Sequence, residues 1–335
     1  MCISLNQNIN CVSNNRKRKS SRLFDKYTTN LKLIKSKYGV VMYNNEDGKR
    51  FSDGYLCPIT FDHFDNPSYE ELSEEHVPQK SIGGKVICLT NRKWNNKFSK
   101  IDNDVAERSK ELVFQHETGT SRAVAYINGK FKCELTMDFE NDKPMLSFVG
   151  GGFKEINPDF VELMTSHENM EEFKVTMKPK GTISRNTRLG YLKNAYLLAF
   201  EKFGYSLLFG NRGCIELFNI IRKQLCAPNE KILGDLPFVF EVKDESGLEG
   251  VYYTKVKGIE TISAFFRLAK DSINRAGVIF PPVNMSENEV KEWSIYGEDV
   301  DFHKFNEIPD FVSFDRFSKL EDTRYSNKEY NDING

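Results

Sequence analysis

Apolar residues change their spacing along the chain, and each change marks a block of structure. In 21–50 they mix with basic residues (LFDKYTTNLKLIKSKYGVVMY), which predicts a short helix and a strand before the turn Asn44-Asn45-Glu46-Asp47-Gly48. Tyr55–Phe64 (YLCPITFDHF) reads as a strand broken by Pro58, and Val86–Thr90 (VICLT) as a second strand. From Asn95 onward Phe98, Ile101, Val105 and Arg108 fall at helical spacing. The order strand, loop, strand, helix is a ββα arrangement.

Residues 120–180 switch to period two. Ala123–Ile127 and Lys130–Phe139 flank Asn128-Gly129, a dipeptide suited to the two positive φ values of a type I′ turn. Met145–Val149 and Phe173–Met177 extend this to a small antiparallel sheet. A helical part follows. Thr187–Phe203 places Leu189, Leu192, Tyr196, Ala199 and Phe203 on one face, Gly204 is its expected stop, and Cys214–Leu225 is a second amphipathic helix. Phe238–Val242 and Val251–Val256 read as a hairpin and Ile262–Ala276 as a helix. The fold class is α+β: a ββα module followed by a mixed antiparallel-sheet and helical region.

At 335 residues, with 39% hydrophobic and 13% aromatic content, the chain can bury more than one core. A formal net charge of -1 supplies no global attraction to nucleic acid, so any such binding must come from local basic patches. The seven cysteines are scattered and nowhere spaced as CxxC, the pattern of free thiols in a reducing compartment. No run reaches the roughly 18 apolar residues of a membrane span, and the expected location is cytoplasmic. Four blocks are expected: a basic flexible arm (1–22) carrying Arg16-Lys17-Arg18-Lys19, the ββα module (23–118), an α+β accessory domain (119–283) for substrate grip or self-association as a homo-oligomer, and an acidic aromatic tail (284–335).

Candidate chemistry concentrates in Ser73–Asp102 (SEEHVPQKSIGGKVICLTNRKWNNKFSKID). Glu75-His76 supplies a carboxylate and an imidazole from one strand end, and Asn95 and Asn96 bring amide oxygens from another element. Hydrolysis of a phosphodiester on one divalent ion needs an activated water and a metal polarising the phosphate. Glu75 offers oxygen to Mg²⁺ or Mn²⁺, His76 supplies an imidazole of the kind that can take a proton from water, and Asn95 completes the protein ligands. Neighbouring residues of a strand point to opposite sides. A twist or bulge at the strand end, where Val77-Pro78 follows, is therefore expected to let both reach one centre.

The segments EHVPQKSIGGK and LTNRKWNNKFSKID resemble the HNH endonuclease family, with its ββα-metal fold, in the branch patterned D/E-H-x-P-x-S-x-G-G-K and then L-T-C-x-x-C-N-N-x-x-G-S-x-x-D. The resemblance implies His76 as general base, Glu75 and Asn95 as metal ligands, and supporting places for Asn96 and Asp102. Gly190–Tyr205 (GYLKNAYLLAFEKFGY) resembles a stretch that follows the module in the same branch. DNA is the implied substrate.

The chain also departs from the family. The four cysteines that hold a structural zinc in many members fall here on Cys57, Thr60, Asn91 and Trp94, so a structural zinc is not expected. Packing of Trp94 with Leu56 and Ile59 is expected in its place. The middle Asn of the motif has no counterpart near Val86, and Ser99 replaces a common glycine. Lys80, Lys85, Arg92, Lys93, Lys97 and Lys100 make the module locally basic and are the candidate nucleic-acid contacts, against the simpler reading of a solvated face. His63, His116, His167 and His303 lack such company and read as structural or surface residues. Gly150-Gly151-Gly152 lacks the Gly-Lys-Ser/Thr ending of a phosphate loop and reads as a turn. The alternative function is a catalytically silent module that binds nucleic acid or recruits a partner.

Overall fold

The computed structural model describes residues 4–38, 53–68, 70–118, 121–127, 131–138, 145–149, 175–179, 183–209, 212–244, 246–269, 272–283, 285–294 and 300–304. The chain divides into two compact units, Met1–Asn103 with Arg185–Gly335, and Asp104–Ser184.

The first unit opens with one long helix, α1 (Ser4–Tyr38), where a basic arm to residue 22 and then a short helix were expected. Ser20, Phe24, Tyr27, Leu31 and Ile34 recur at three and four residues and are buried, while Lys17, Arg18, Lys19 and Arg22 are exposed. Ser20 Oγ donates to Glu74 Oε1 at 2.8 Å, and Tyr27 OH donates to the Ile87 carbonyl at 3.0 Å. The strand expected after α1 lies outside the described residues.

Tyr55–Phe64 is not one strand. Two short antiparallel strands, β1 (Tyr55–Leu56) and β2 (His63–Phe64), are joined by a tight turn over Cys57–Asp62. A longer antiparallel pair follows, β3 (Leu72–Val77) and β4 (Lys85–Asn91), leading directly into helix α2 (Arg92–Thr118). The helix starts three residues before Asn95, because the Asn91 side chain caps it: Asn91 Oδ1 accepts from Trp94 N at 3.1 Å.

A 3-10 turn, Lys80–Ile82, connects β3 to β4, and the Gly-Gly pair after it has two separate physical reasons. Gly83 has φ 89°, the left-handed region. At Gly84 a Cβ would lie 1.4 Å from the Pro78 carbonyl oxygen.

The sequence GYLKNAYLLAF belongs to α3 (Arg185–Phe203), which is buried nearly all round rather than along one face. It packs against β3 and β4 and also against an antiparallel five-stranded sheet. That sheet comprises β9 (Val239–Lys243), β10 (Gly250–Val256), β11 (Ile259–Arg267), β12 (Asn274–Ile279) and β13 (Val300–Lys304), in the order β13-β10-β11-β12-β9. The helix expected over Ile262–Ala276 is thus two strands. Central strands bury both faces, so β11 and β12 are buried almost without alternation and show no period two to tell strand from helix. Nor do β9 and β10 pair as a hairpin: β9 pairs with β12, and β10 with β11 and β13. Strand β13 comes from the expected tail. Short α4 (Ser206–Phe209), α5 (Arg212–Cys226) and α6 (Glu287–Glu292) complete this unit.

In the second unit, β5 (Ser121–Ile127), β6 (Phe131–Asp138), β7 (Met145–Val149) and β8 (Val175–Pro179) form the expected antiparallel sheet, ordered β7-β6-β5-β8. Ile127 pairs with Phe131 across Asn128-Gly129, a turn that itself lies outside the described residues, as do Gly150–Gly152. Buried Glu111 accepts from Arg122 N at 2.8 Å and Nε at 2.9 Å. Among the described residues no helix is long and apolar enough to cross a membrane.

The glycine geometry predicts unequal costs. Gly84→Ala should destabilise the chain by about 3 kcal/mol or more, since a backbone carbonyl cannot give way. Gly83→Ala should cost only about 1–2 kcal/mol, the left-handed penalty. Urea unfolding of the full chain measures both.

Candidate functional site

The candidate residues are carried by β3, the first turns of α2 and the middle of α3. Pairing of β3 with β4 runs in register to Glu75↔Cys88 and resumes at His76↔Val86, leaving Ile87 as the extra residue. The irregularity expected at Glu75-His76 is present, with the inserted residue in the opposite strand. Glu75 is buried at 3% exposure and His76 is half-buried.

A continuous polar network joins three of the expected site residues, Asn95, Glu75 and Asp102. Asn95 Nδ2 donates to Ser73 Oγ at 3.0 Å, Ser73 Oγ lies 3.4 Å from Thr90 Oγ1, and Thr90 Oγ1 donates to Glu75 Oε2 at 3.2 Å. The other Glu75 oxygen accepts from Lys193 Nζ of α3 at 2.8 Å. The same ammonium donates to Asp102 Oδ1 at 2.6 Å, and Gln79 Nε2 donates to that oxygen at 2.9 Å. Asn194 Nδ2 reaches Gln79 Oε1 at 3.5 Å, and Asn194 Oδ1 is buried without a hydrogen-bond partner.

Electrostatics follow from this arrangement. Burial pushes the Glu75 carboxyl up, Lys193 opposes it, and Asp102 adds to the rise. Burial works against the charge of Lys193, but Glu75 and Asp102 outweigh it and hold the ammonium's pKa above its ordinary value. Lys193 therefore stays protonated between two carboxylates, with the Phe98 ring 5.2 Å away.

This geometry bears on the expected metal. The donors are hard oxygens of the kind magnesium takes. Both Glu75 oxygens, however, are committed to Lys193 and Thr90, and the hydroxyls of Ser73 and Thr90 stand between Glu75 and Asn95 in the network. As arranged, the pair does not fit a divalent ion. Among the described residues no group of three or more His, Cys, Asp or Glu could hold a metal either.

The four positions matching the family's zinc cysteines do lie together, held by hydrogen bonds. Cys57 Sγ accepts from Thr60 N at 3.5 Å and Asn91 N at 3.4 Å. Asp62 Oδ2 accepts from Thr60 Oγ1 and from Asn91 Nδ2, each at 2.6 Å. Burial, then Asp62, pushes the Cys57 thiol up and keeps it neutral. Trp94 is buried as expected, but its ring packs at a tilt against Phe98, centroids 5.0 Å apart, and its Nε1 donates to the Leu225 carbonyl at 3.1 Å. Leu56 and Ile59 are fully buried. The turn is further gripped by Tyr196 OH on the Pro58 carbonyl and by Arg222 Nη1 on the Ile59 carbonyl.

Of the basic candidates, Lys80, Lys85, Lys93, Lys97 and Lys100 are exposed, whereas Arg92 is half-buried and donates to the Leu72 carbonyl at 3.0 Å, a structural tie. Asn96 is exposed. Sequence reasoning missed Lys193, Gln79, Ser73 and Thr90 as parts of the network, and Asp62 as the acceptor that holds Thr60 and Asn91. One signal was available: Lys193-Asn194 interrupts an otherwise apolar run. Comparison with known protein families, curated proteins and solved structures finds no match to this chain.

Asp62→Ala removes the acceptor for two short hydrogen bonds and should cost about 2 kcal/mol in urea unfolding. A strong zinc chelator should leave the unfolding midpoint of the parent chain unchanged.

Proposed function

We propose that this chain is an HNH-type endonuclease that hydrolyses DNA phosphodiester bonds. The observation that supports this reading best is the hairpin running directly into a helix, with Glu75-His76 at a register irregularity of that hairpin. Half-buried His76 is the general base: a ring nitrogen takes the proton as water attacks phosphorus, the P–O bond to the deoxyribose oxygen breaks, and that oxygen takes a proton from solvent as it leaves. Exposed Lys80, Lys85, Lys93, Lys97 and Lys100 face the phosphate backbone. Dependence on Mg²⁺ or Mn²⁺ follows from the family resemblance alone, and no step is assigned to the ion.

A second reading, a silent module that binds nucleic acid or recruits a partner, is favoured by one observation: the Glu75 carboxylate is occupied by Lys193.

Nicking of supercoiled plasmid separates them. Cleavage that falls about a hundredfold or more in His76→Ala supports the nuclease, the scale expected for a lost general base. Equal, metal-independent results from parent and variant sink it, and salt-sensitive binding without cleavage supports the silent module.

A further inference from the structure

Lys193 has no exposed surface, although an ammonium pays a heavy desolvation cost when taken out of water. Compensation comes from two elements distant in sequence: Glu75 of β3 at 2.8 Å and Asp102 of α2 at 2.6 Å. Gln79, from the segment between β3 and β4, donates to the same Asp102 oxygen. One cation therefore ties α3 to the hairpin and to the helix that carry the candidate site. A divalent ion approaching Glu75 would meet an ammonium already in contact with Oε1 and a hydroxyl on Oε2.

We propose that Lys193 is the resident cation of this site, a positioning residue whose ammonium stands on Glu75 where the family resemblance would put a divalent ion, fixing Glu75 and Asp102 and closing Glu75 to metal. The inference takes its location from the nuclease reading but not its content: positive charge at Glu75 is built into the fold. Arginine at this position keeps the charge, whereas methionine keeps much of the volume and removes it.

Binding of Mn²⁺ to the full chain, followed by the electron paramagnetic resonance of the free ion, tests this without any cleavage. Parent and Glu75→Gln should bind Mn²⁺ indistinguishably, and Lys193→Arg should match the parent. Lys193→Met, with the carboxylate released, should gain about tenfold or more in affinity, because hard-cation affinity follows ligand charge. The double variant Lys193→Met with Glu75→Gln should lose that gain. A parent site abolished by Glu75→Gln would overturn the proposal, as would a folded Lys193→Met that binds Mn²⁺ no better than the parent. Should Lys193→Met fail to fold, parent against Glu75→Gln still decides, since there Lys193 keeps Asp102. A chain without nuclease activity leaves the inference standing, and a metal found on Glu75 of an active chain overturns the inference while leaving the nuclease reading intact.

Discussion

A buried ammonium held between two carboxylates is the constraint on which the candidate site depends. Lys193 reaches from the middle of α3 to Glu75 on β3 and Asp102 on α2, so three elements separated in sequence share one charge centre. Such a centre adds little net stability, because desolvation offsets most of the attraction. Its effect is on geometry. Losing one member leaves an uncompensated buried charge, at a cost of about 3–5 kcal/mol, so packings that separate α3 from the hairpin are strongly disfavoured.

A second constraint acts at the start of α2. Cys57, Thr60, Asn91 and Trp94 stay together through the Cys57 sulfur, the Asp62 carboxylate and the Asn91 cap, all drawn from the turn and the first helical residues. A zinc ion would impose one tetrahedral centre, whereas here several weaker directional bonds share the load, backed by Tyr196 and Arg222 on the turn carbonyls. Trp94 contributes as an anchor to α5 and Phe98 more than as a filler of the vacated space.

The two constraints explain why α3 is buried nearly all round. It faces both the hairpin and the five-stranded sheet, and Tyr191 packs edge-on against Phe266 at 5.8 Å on the sheet while Lys193 serves the site. Tyr191 OH also donates to Glu241 Oε1 at 2.6 Å, which ties the helix to the sheet by a polar contact as well. The residues proposed for chemistry thus pack against a helix whose middle, residues 189–197, is buried throughout.

Local signals in the sequence determined a good deal. Period two marked the strands of the second unit, helical spacing at Phe98, Ile101 and Val105 marked α2, and the clustering of Glu75, His76 and Asn95 marked the candidate site, because each depends on near neighbours. Pairing across long distance did not show in that way. The segment Ile262–Ala276 has no alternation to distinguish two central strands from a helix, and the basic residues near the N-terminus hid the buried stripe of α1 until its partners on β3 and β4 were in place. The sequence alone brought Glu75, His76 and Asn95 forward as candidates for chemistry. Only the tertiary structure decided that Lys193, more than a hundred residues from Glu75, occupies its carboxylate, because burial and charge pairing depend on what the fold brings together rather than on what lies nearby in the chain.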